Sequence, residues 1–230
     1  MKKILLVSAL AATSTFTFAN DNTSTWGGFY AGANLGYGWG KTEDTLNPEA
    51  AKQDMEGMTG GFQVGHNWQL ANNTVLGLET SFSLNDIKEH WSDSSASPYS
   101  AYYGKDAIKN SGTLTAKAGY AFDKFLPYVT AGVTVAKTDH TLGCDPALVS
   151  ATKGCGITYE TSNSNVSVGT TVGAGLAYKA NENLSTSLEY AYTNLGTDAV
   201  YLADPNSPSM DERKFKNTYG TTSLKLNYHF

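Results

Sequence analysis

SLKLNYHF, residues 223–230, closes the chain. Leu224, Leu226, Tyr228 and Phe230 alternate with Ser223, Lys225, Asn227 and His229, the period-two pattern of a strand with one apolar face. Most chains fray into a polar tail. This one carries its pattern to the last residue and stops on an aromatic ring. The solvent that the apolar face meets decides the fold.

The alternation recurs upstream. In GGFYAGANLGYGW, Phe29, Ala31, Ala33, Leu35, Tyr37 and Trp39 share one face, with Tyr30, Gly32, Asn34, Gly36 and Gly38 on the other. GGFQVGHNWQL, VLGLETSFSL and TLTAKAGYAF repeat it, as do runs near 127–136, 166–178 and 184–193. With the C-terminal run these make eight segments, each predicted to be roughly ten residues, the length of a tilted transmembrane strand. By parity Leu78, Leu188 and Leu224 share the apolar face near mid-span, whereas Thr115 and Ser187 belong to the polar one.

The connections separate the two architectures that such strands allow. ANN at 71–73, DK at 123–124 and ANEN at 180–183 read as tight turns. Between them lie long polar segments at approximately 40–57, 86–109, 138–165 and 195–216. Strict short/long alternation puts all turns at one end and all long loops at the other, as in an outer-membrane barrel. A soluble ligand-carrying barrel turns its apolar face inward. Here the opposite face carries Glu, Lys, Gln, Asn and glycines, a poor lining for an apolar ligand. Phe29, Trp68, Tyr120, Phe122, Tyr178, Tyr228 and Phe230 fall near the short-turn end, and Tyr37, Trp39, Phe82 and Tyr192 near the other. Two aromatic girdles of one parity mark two membrane interfaces. The expected fold is all-β: an eight-stranded antiparallel transmembrane β-barrel over residues 20–230.

Residues 1–19 read as a cleaved signal peptide, with basic MKK, an apolar run and small residues before a break after Ala19. Lys2 and Lys3 leave with it, so 16 basic and 21 acidic side chains become 14 and 21, a net charge of −7. Nucleic acid is therefore not an expected partner. Export also meets an oxidising compartment, so Cys144 and Cys155, in GCDPALVSATKGCG, are expected to close the third long loop as a disulfide.

Two stretches echo each other. GTLTAKAGYAF (112–122) and GTTSLKLNYHF (220–230) align, and GLETSFS upstream of the first resembles SLEYAYT upstream of the second. Glu79 and Glu189 then hold matching polar-face positions, as do Lys117 and Lys225. An eight-stranded barrel is just wide enough for side chains to fill it. Unpaired charges there are costly, so Glu79 with Lys117 and Glu189 with Lys225 are expected to pair as packing rather than to line a conductance path.

WGGFYAGANLGYGWG, GGFQVGHNWQ, VLGLETSFS and the NYHF ending resemble an alphaproteobacterial outer-membrane surface-antigen family, often labelled porin-like or opacity-like. Trp26, Gly28, Phe29, Tyr30 and Gly32 match its N-terminal motif, and Asn227, Tyr228 and Phe230 its C-terminal one; the loops carry none of the likeness. The resemblance implies a Gram-negative outer-membrane location and roles in envelope integrity and host or cell-surface contact. It also implies lipid and lipopolysaccharide as surroundings, and barrel assembly machinery that reads Tyr228 and Phe230 as a terminal signal. Some members bind haem. A haem site here would draw on His90, His140, Tyr99, Tyr102 and Tyr103; no cofactor is otherwise expected. Ser92 and Ser94 near His90 lack the base and orienting group of a hydrolytic site, so no enzymatic activity is expected. His66 is read as outward, His229 as inward. A small-solute pore is the remaining alternative.

Overall fold

The structure, a computed structural model, describes residues 25–44, 52–92, 102–144, 159–202 and 211–230. The expected signal peptide at 1–19, and with it Tyr99 and Cys155, lies outside them. Eight strands follow in order: β1 (Gly28–Asp44), β2 (Lys52–Gln69), β3 (Thr74–Ser92), β4 (Tyr102–Tyr120), β5 (Phe125–Cys144), β6 (Tyr159–Lys179), β7 (Leu184–Leu202) and β8 (Asp211–His229). Each pairs antiparallel with its sequence neighbours, and β8 returns to β1 to close the barrel. Asn73 and Asp123 take the left-handed backbone conformation in the first two short turns, which Asn and Asp tolerate better than most residues.

The apolar alternation of the last segment is explained by this closure. β8 pairs with β1 from Tyr30↔His229 to Asp44↔Phe215 and with β7 from Leu184↔Tyr228 onward. Phe230 donates its backbone N–H to Phe29 O at 3.0 Å. An open edge in hydrocarbon would leave a row of backbone groups unsatisfied.

The register sets the dimensions. From Tyr30 the paired row runs through Gly65, Glu79, Thr115, Gly132, Thr171, Thr193 and Tyr219, and returns to β1 at Gly40, ten residues above its start. Eight strands with that shear tilt by about 41° and enclose a backbone radius of about 8 Å. One residue along a strand then climbs about 2.5 Å along the barrel axis, and one strand along the row about 3.1 Å.

Alternation sorts the wall into two solvents. Leu78, Leu188 and Leu224 are 49, 57 and 59 % exposed on the outer face, whereas Thr115 and Ser187 are 8 and 4 % exposed inside. The aromatics of both girdles also face out, but Phe82, read as part of the upper girdle, lies only about 14 Å above the level of Tyr30, in mid-wall beside Phe62. Phe29 and Trp39 mark the two girdles on β1, about 25 Å apart along the axis, which matches the apolar band of an outer-membrane barrel.

The strands correct one expectation. They run for 17 to 21 residues rather than about ten, and the ladder continues well into the segments read as loops, for example Glu43↔Lys52 and Ser92↔Tyr103. The remaining tips at 45–51, 93–101, 145–158 and 203–210 lie outside the described residues. Two bulges contribute to the misreading. The register shifts between Ile108 and Asn110 on β4 and between Asn194 and Thr197 on β7; a third shift, between Leu84 and Ile87 on β3, leaves the alternation of that strand intact. An extra residue flips the parity of the strand beyond it, so the sequence pattern breaks where the hydrogen-bonded wall does not. On β7 the bulge contains Gly196 at φ +77°, where its N–H bonds Asn194 Oδ1 at 2.9 Å.

Leu188→Arg or Leu224→Arg is expected to cost roughly 2–4 kcal/mol of unfolding free energy in lipid, the midplane cost of a charge on this face. Spin labels should report lipid contact at Leu78, Leu188 and Leu224 and none at Thr115 and Ser187. The opposite pattern would turn the barrel inside out.

Candidate functional site

The interior is organised around Glu79. Its position on β3 turns it into the lumen, where it is 4 % exposed. Lys225 Nζ lies 2.7 Å from Oε1 and Lys117 Nζ 3.2 Å from Oε2, while Tyr30 donates its hydroxyl to Oε2 at 2.7 Å. Lys225 Nζ also meets Glu189 Oε1 at 2.8 Å. Lys117 donates to Tyr30 Oη at 2.9 Å and sits 4.8 Å from the centre of the Tyr128 ring. The four charges thus form one chain, Lys117–Glu79–Lys225–Glu189, neutral overall. Burial of any one of them alone would be prohibitive; together they satisfy one another.

Sequence reasoning placed the four charges in the lumen but treated them as two separate pairs. The link between Glu79 and Lys225 crosses the closure seam between residues 146 apart in sequence. It also missed the tyrosines. Tyr30 is paired with Gly65, which is paired with Glu79; Tyr128 is paired with Gly175, which is paired with Glu189. A Cβ on either glycine would strike the neighbouring tyrosine ring, so the missing side chain is what lets the ring lie flat along the wall. The signal was present as two Tyr/Gly/Glu/Lys sets in the same strand order. The symmetry is imperfect: Tyr128 Oη and Glu189 Oε2 lack the hydrogen bond that Tyr30 makes to Glu79.

Above and below the charges the lumen is filled. A hydroxyl ladder crosses β4 to β7, with Thr113–Thr134 at 2.9 Å, Thr134–Thr171 at 2.5 Å and Thr171–Thr193 at 2.9 Å. Gln63 bonds Asn227 at 2.7 Å and Asn34 at 2.8 Å. Toward the outer end Met55, Ile87, Ile108, Ala136, Leu195 and Tyr219 form an apolar plug. Toward the short turns Trp26, Val75, Ala121, Leu126, Tyr128 and Ala177 form another. Trp26 precedes β1, so no strand periodicity marks it; its backbone N–H bonds Gln69 Oε1 at 2.6 Å and Lys179 Nζ covers its ring at 5.4 Å. Between the plugs lies a polar cavity of 80 Å³, lined by Asn34, Glu79, Thr115, Glu189 and Lys225 among others, with room for a few waters.

The remaining expected site residues lie elsewhere. His229 faces inward and meets Ser185 through Nε2 at 2.8 Å; His66 faces outward, between Phe29 and Trp68. At the rim, the register sets His90 opposite Lys105 and His140 opposite Asp106, on the two sides of β4. Tyr103 lies over Gly143 and donates to Glu160 at 2.8 Å. Cys144 ends β5, fully buried and not a free thiol. Tyr228 and Phe230 pack edge to face at 5.3 Å in the lower girdle.

A closed eight-stranded barrel with an apolar belt and a filled polar lumen is an outer-membrane protein by construction. The chain belongs to the outer membrane protein beta-barrel domain family, whose model matches residues 5–230. It is 30 % identical over 260 residues to the 31 kDa outer-membrane immunogenic protein of Brucella melitensis, covering 100 % of both chains. It is 26 % identical to the 22 kDa outer membrane protein of Rhizobium leguminosarum, covering 87 % of this chain and 75 % of that one. Among solved structures, Neisserial surface protein A aligns over 88 % of this chain and 97 % of its own, at 14 % identity and a TM-score of 0.49. The protein is an outer-membrane surface β-barrel of an alphaproteobacterial antigen family.

Glu79→Gln is expected to cost about 3–5 kcal/mol, because it leaves Lys117 buried without a carboxylate. Glu189→Gln should cost less, since Lys225 keeps Glu79. Denaturant unfolding of the two variants in lipid checks the order; equal costs would mean the chain of charges behaves as two independent pairs.

Proposed function

We propose that the protein is a closed bracing and display barrel, which supports the envelope and holds its outer rim toward lipopolysaccharide and host or cell-surface macromolecules. The observation that supports this reading is the pair of apolar plugs at both ends of a lumen whose middle is locked by four mutually paired charges. A barrel built to conduct would line its interior differently. In planar bilayers the unmodified protein should show no discrete openings, whereas Trp26→Ala combined with Leu195→Ala should raise leak. Regular openings of the unmodified protein would favour the small-solute pore instead.

Haem capture is the second reading, favoured by the register that brings His90 and His140 to the strands flanking β4. A Soret band on titration with haem, lost in a His90→Ala/His140→Ala variant, would establish it. The outermost part of the third hairpin is proposed to be closed by a Cys144–Cys155 disulfide, anchored at the last residue of β5.

The chain terminus is proposed to be read by the barrel assembly machinery. Phe230 is 78 % exposed, so packing alone assigns Phe230→Ala a loss of no more than about 2 kcal/mol. The expected outcome is larger in cells than in vitro: poor insertion and periplasmic degradation, with near-normal refolding into lipid. Normal delivery of the variant to the outer membrane would reduce the terminal ring to a girdle residue.

A further inference from the structure

Between the two aromatic girdles the outer wall carries no outward Asp, Glu, Lys or Arg among the described residues. Immediately above the upper girdle it changes character. Lys41 on β1, Lys88 on β3, Lys109 on β4, Lys137 on β5 and Lys216 on β8 are all exposed there. With the tilt and shear of this barrel they lie about 24–29 Å above the level of Tyr30, a belt only about 5 Å deep, against about 22 Å for Trp39. Three of them, Lys88, Lys109 and Lys137, stand on consecutive strands, brought side by side by the bulge that turns Lys109 outward and Ile108 inward.

We infer that this lysine belt, centred on Lys88, Lys109 and Lys137, binds the phosphate groups of the phosphorylated glycolipid of the outer leaflet. The inference rests on the outer-membrane placement and gives the proposed lipopolysaccharide contact a specific site. Ammonium groups at headgroup depth, above rings that anchor at the interface, meet phosphate through charge-assisted hydrogen bonds while their alkyl stems stay against apolar wall. The belt is basic in a chain that is acidic overall: Glu56, Asp86 and Asp139 share its level against five lysines. Asp86 pairs with Lys88 at 2.5 Å and Asp139 with Lys137 at 3.9 Å, but exposed pairs hold weakly and leave ammonium donors for phosphate. The opposite end is different. Its exposed turn charges are Asp123, Lys124 and Glu182, a net negative set. The belt is interrupted on β2 by Glu56, on β6 by Val166 and on β7, which carries Thr197 near that level, so the lipid is held on the β3–β5 side and, secondarily, at Lys41 and Lys216.

The test compares the mature protein with a K88Q/K109Q/K137Q variant. Both are refolded into phosphatidylcholine vesicles containing bisphosphorylated lipid A, dephosphorylated lipid A or phosphatidylglycerol, then recovered in mild detergent for native mass spectrometry. The unmodified barrel should retain bisphosphorylated lipid A, and the variant should lose about tenfold in retention. Dephosphorylated lipid A should not be retained. Equal retention by both proteins, or retention of phosphatidylglycerol as strong as that of lipid A, would overturn the assignment. Heat-modifiable gel migration reports folding of each sample separately, so a barrel that inserts in no vesicle would overturn the membrane reading rather than the belt alone.

Discussion

Everything in this molecule depends on satisfying the backbone in a solvent that offers no hydrogen bonds. In hydrocarbon each unpaired N–H or C=O costs several kcal/mol, so a sheet that enters it must have no edge. β8 therefore pairs with β1 up to the last residues of the chain, and Phe230 N–H finds Phe29 O. Closure with eight strands and a shear of ten then leaves no choice about width. A backbone radius of about 8 Å is filled by side chains from opposite walls. The interior becomes a packing problem, and its polar residues are there because the apolar half of every strand is committed to lipid.

The charged chain arises from that commitment. A lumen with polar inward positions and little water must neutralise each ion with another. Curvature makes this possible: Glu79 on β3 and Lys225 on β8 are three strand spacings apart around the seam, about 14 Å on a flat sheet. Inside a narrow barrel long side chains bridge that separation, and Nζ and Oε1 meet at 2.7 Å. The two Tyr/Gly pairs serve the same geometry, since each glycine makes space for a ring that fills the lumen beside the ions. The match of these sets across the half-barrels, Tyr30, Gly65, Glu79 and Lys117 against Tyr128, Gly175, Glu189 and Lys225, is consistent with duplicated hairpins.

The fold was legible because period-two alternation states both faces of a strand at once. Leu78, Leu188 and Leu224 could be assigned to lipid, and Glu79, Lys117, Glu189 and Lys225 to the lumen, by parity alone. What could not be read required three-dimensional closure or a change of parity. The Glu79–Lys225 contact depends on the shear, which no local pattern contains. Trp26 plugs the barrel from outside any strand. Ile108 enters the outer plug only because β4 carries a bulge just after it; strict alternation from Ser111 would have turned it to the outer face. The same disruption hid the upper third of the wall, where the ladder persists among polar residues that look like loop.

That hidden wall bears on function. Residues inside the barrel are occupied with one another, and residues at mid-height with lipid, so the proposed surface contacts fall to the wall above the upper girdle. There the paired strands continue as a hydrogen-bonded stem. A recognition loop that starts from a hydrogen-bonded hairpin has less conformational freedom to lose than one that starts at the membrane surface, because ordering each residue costs roughly 1–2 kcal/mol. Extending the ladder to pairs such as Glu43↔Lys52 and Cys144↔Tyr159 therefore lowers the ordering cost of any contact made at the rim. The barrel's filled interior and its tall wall are two consequences of one arrangement: the buried contacts that stabilise it lie in the lumen, and the ladder carries the closed sheet above the upper girdle.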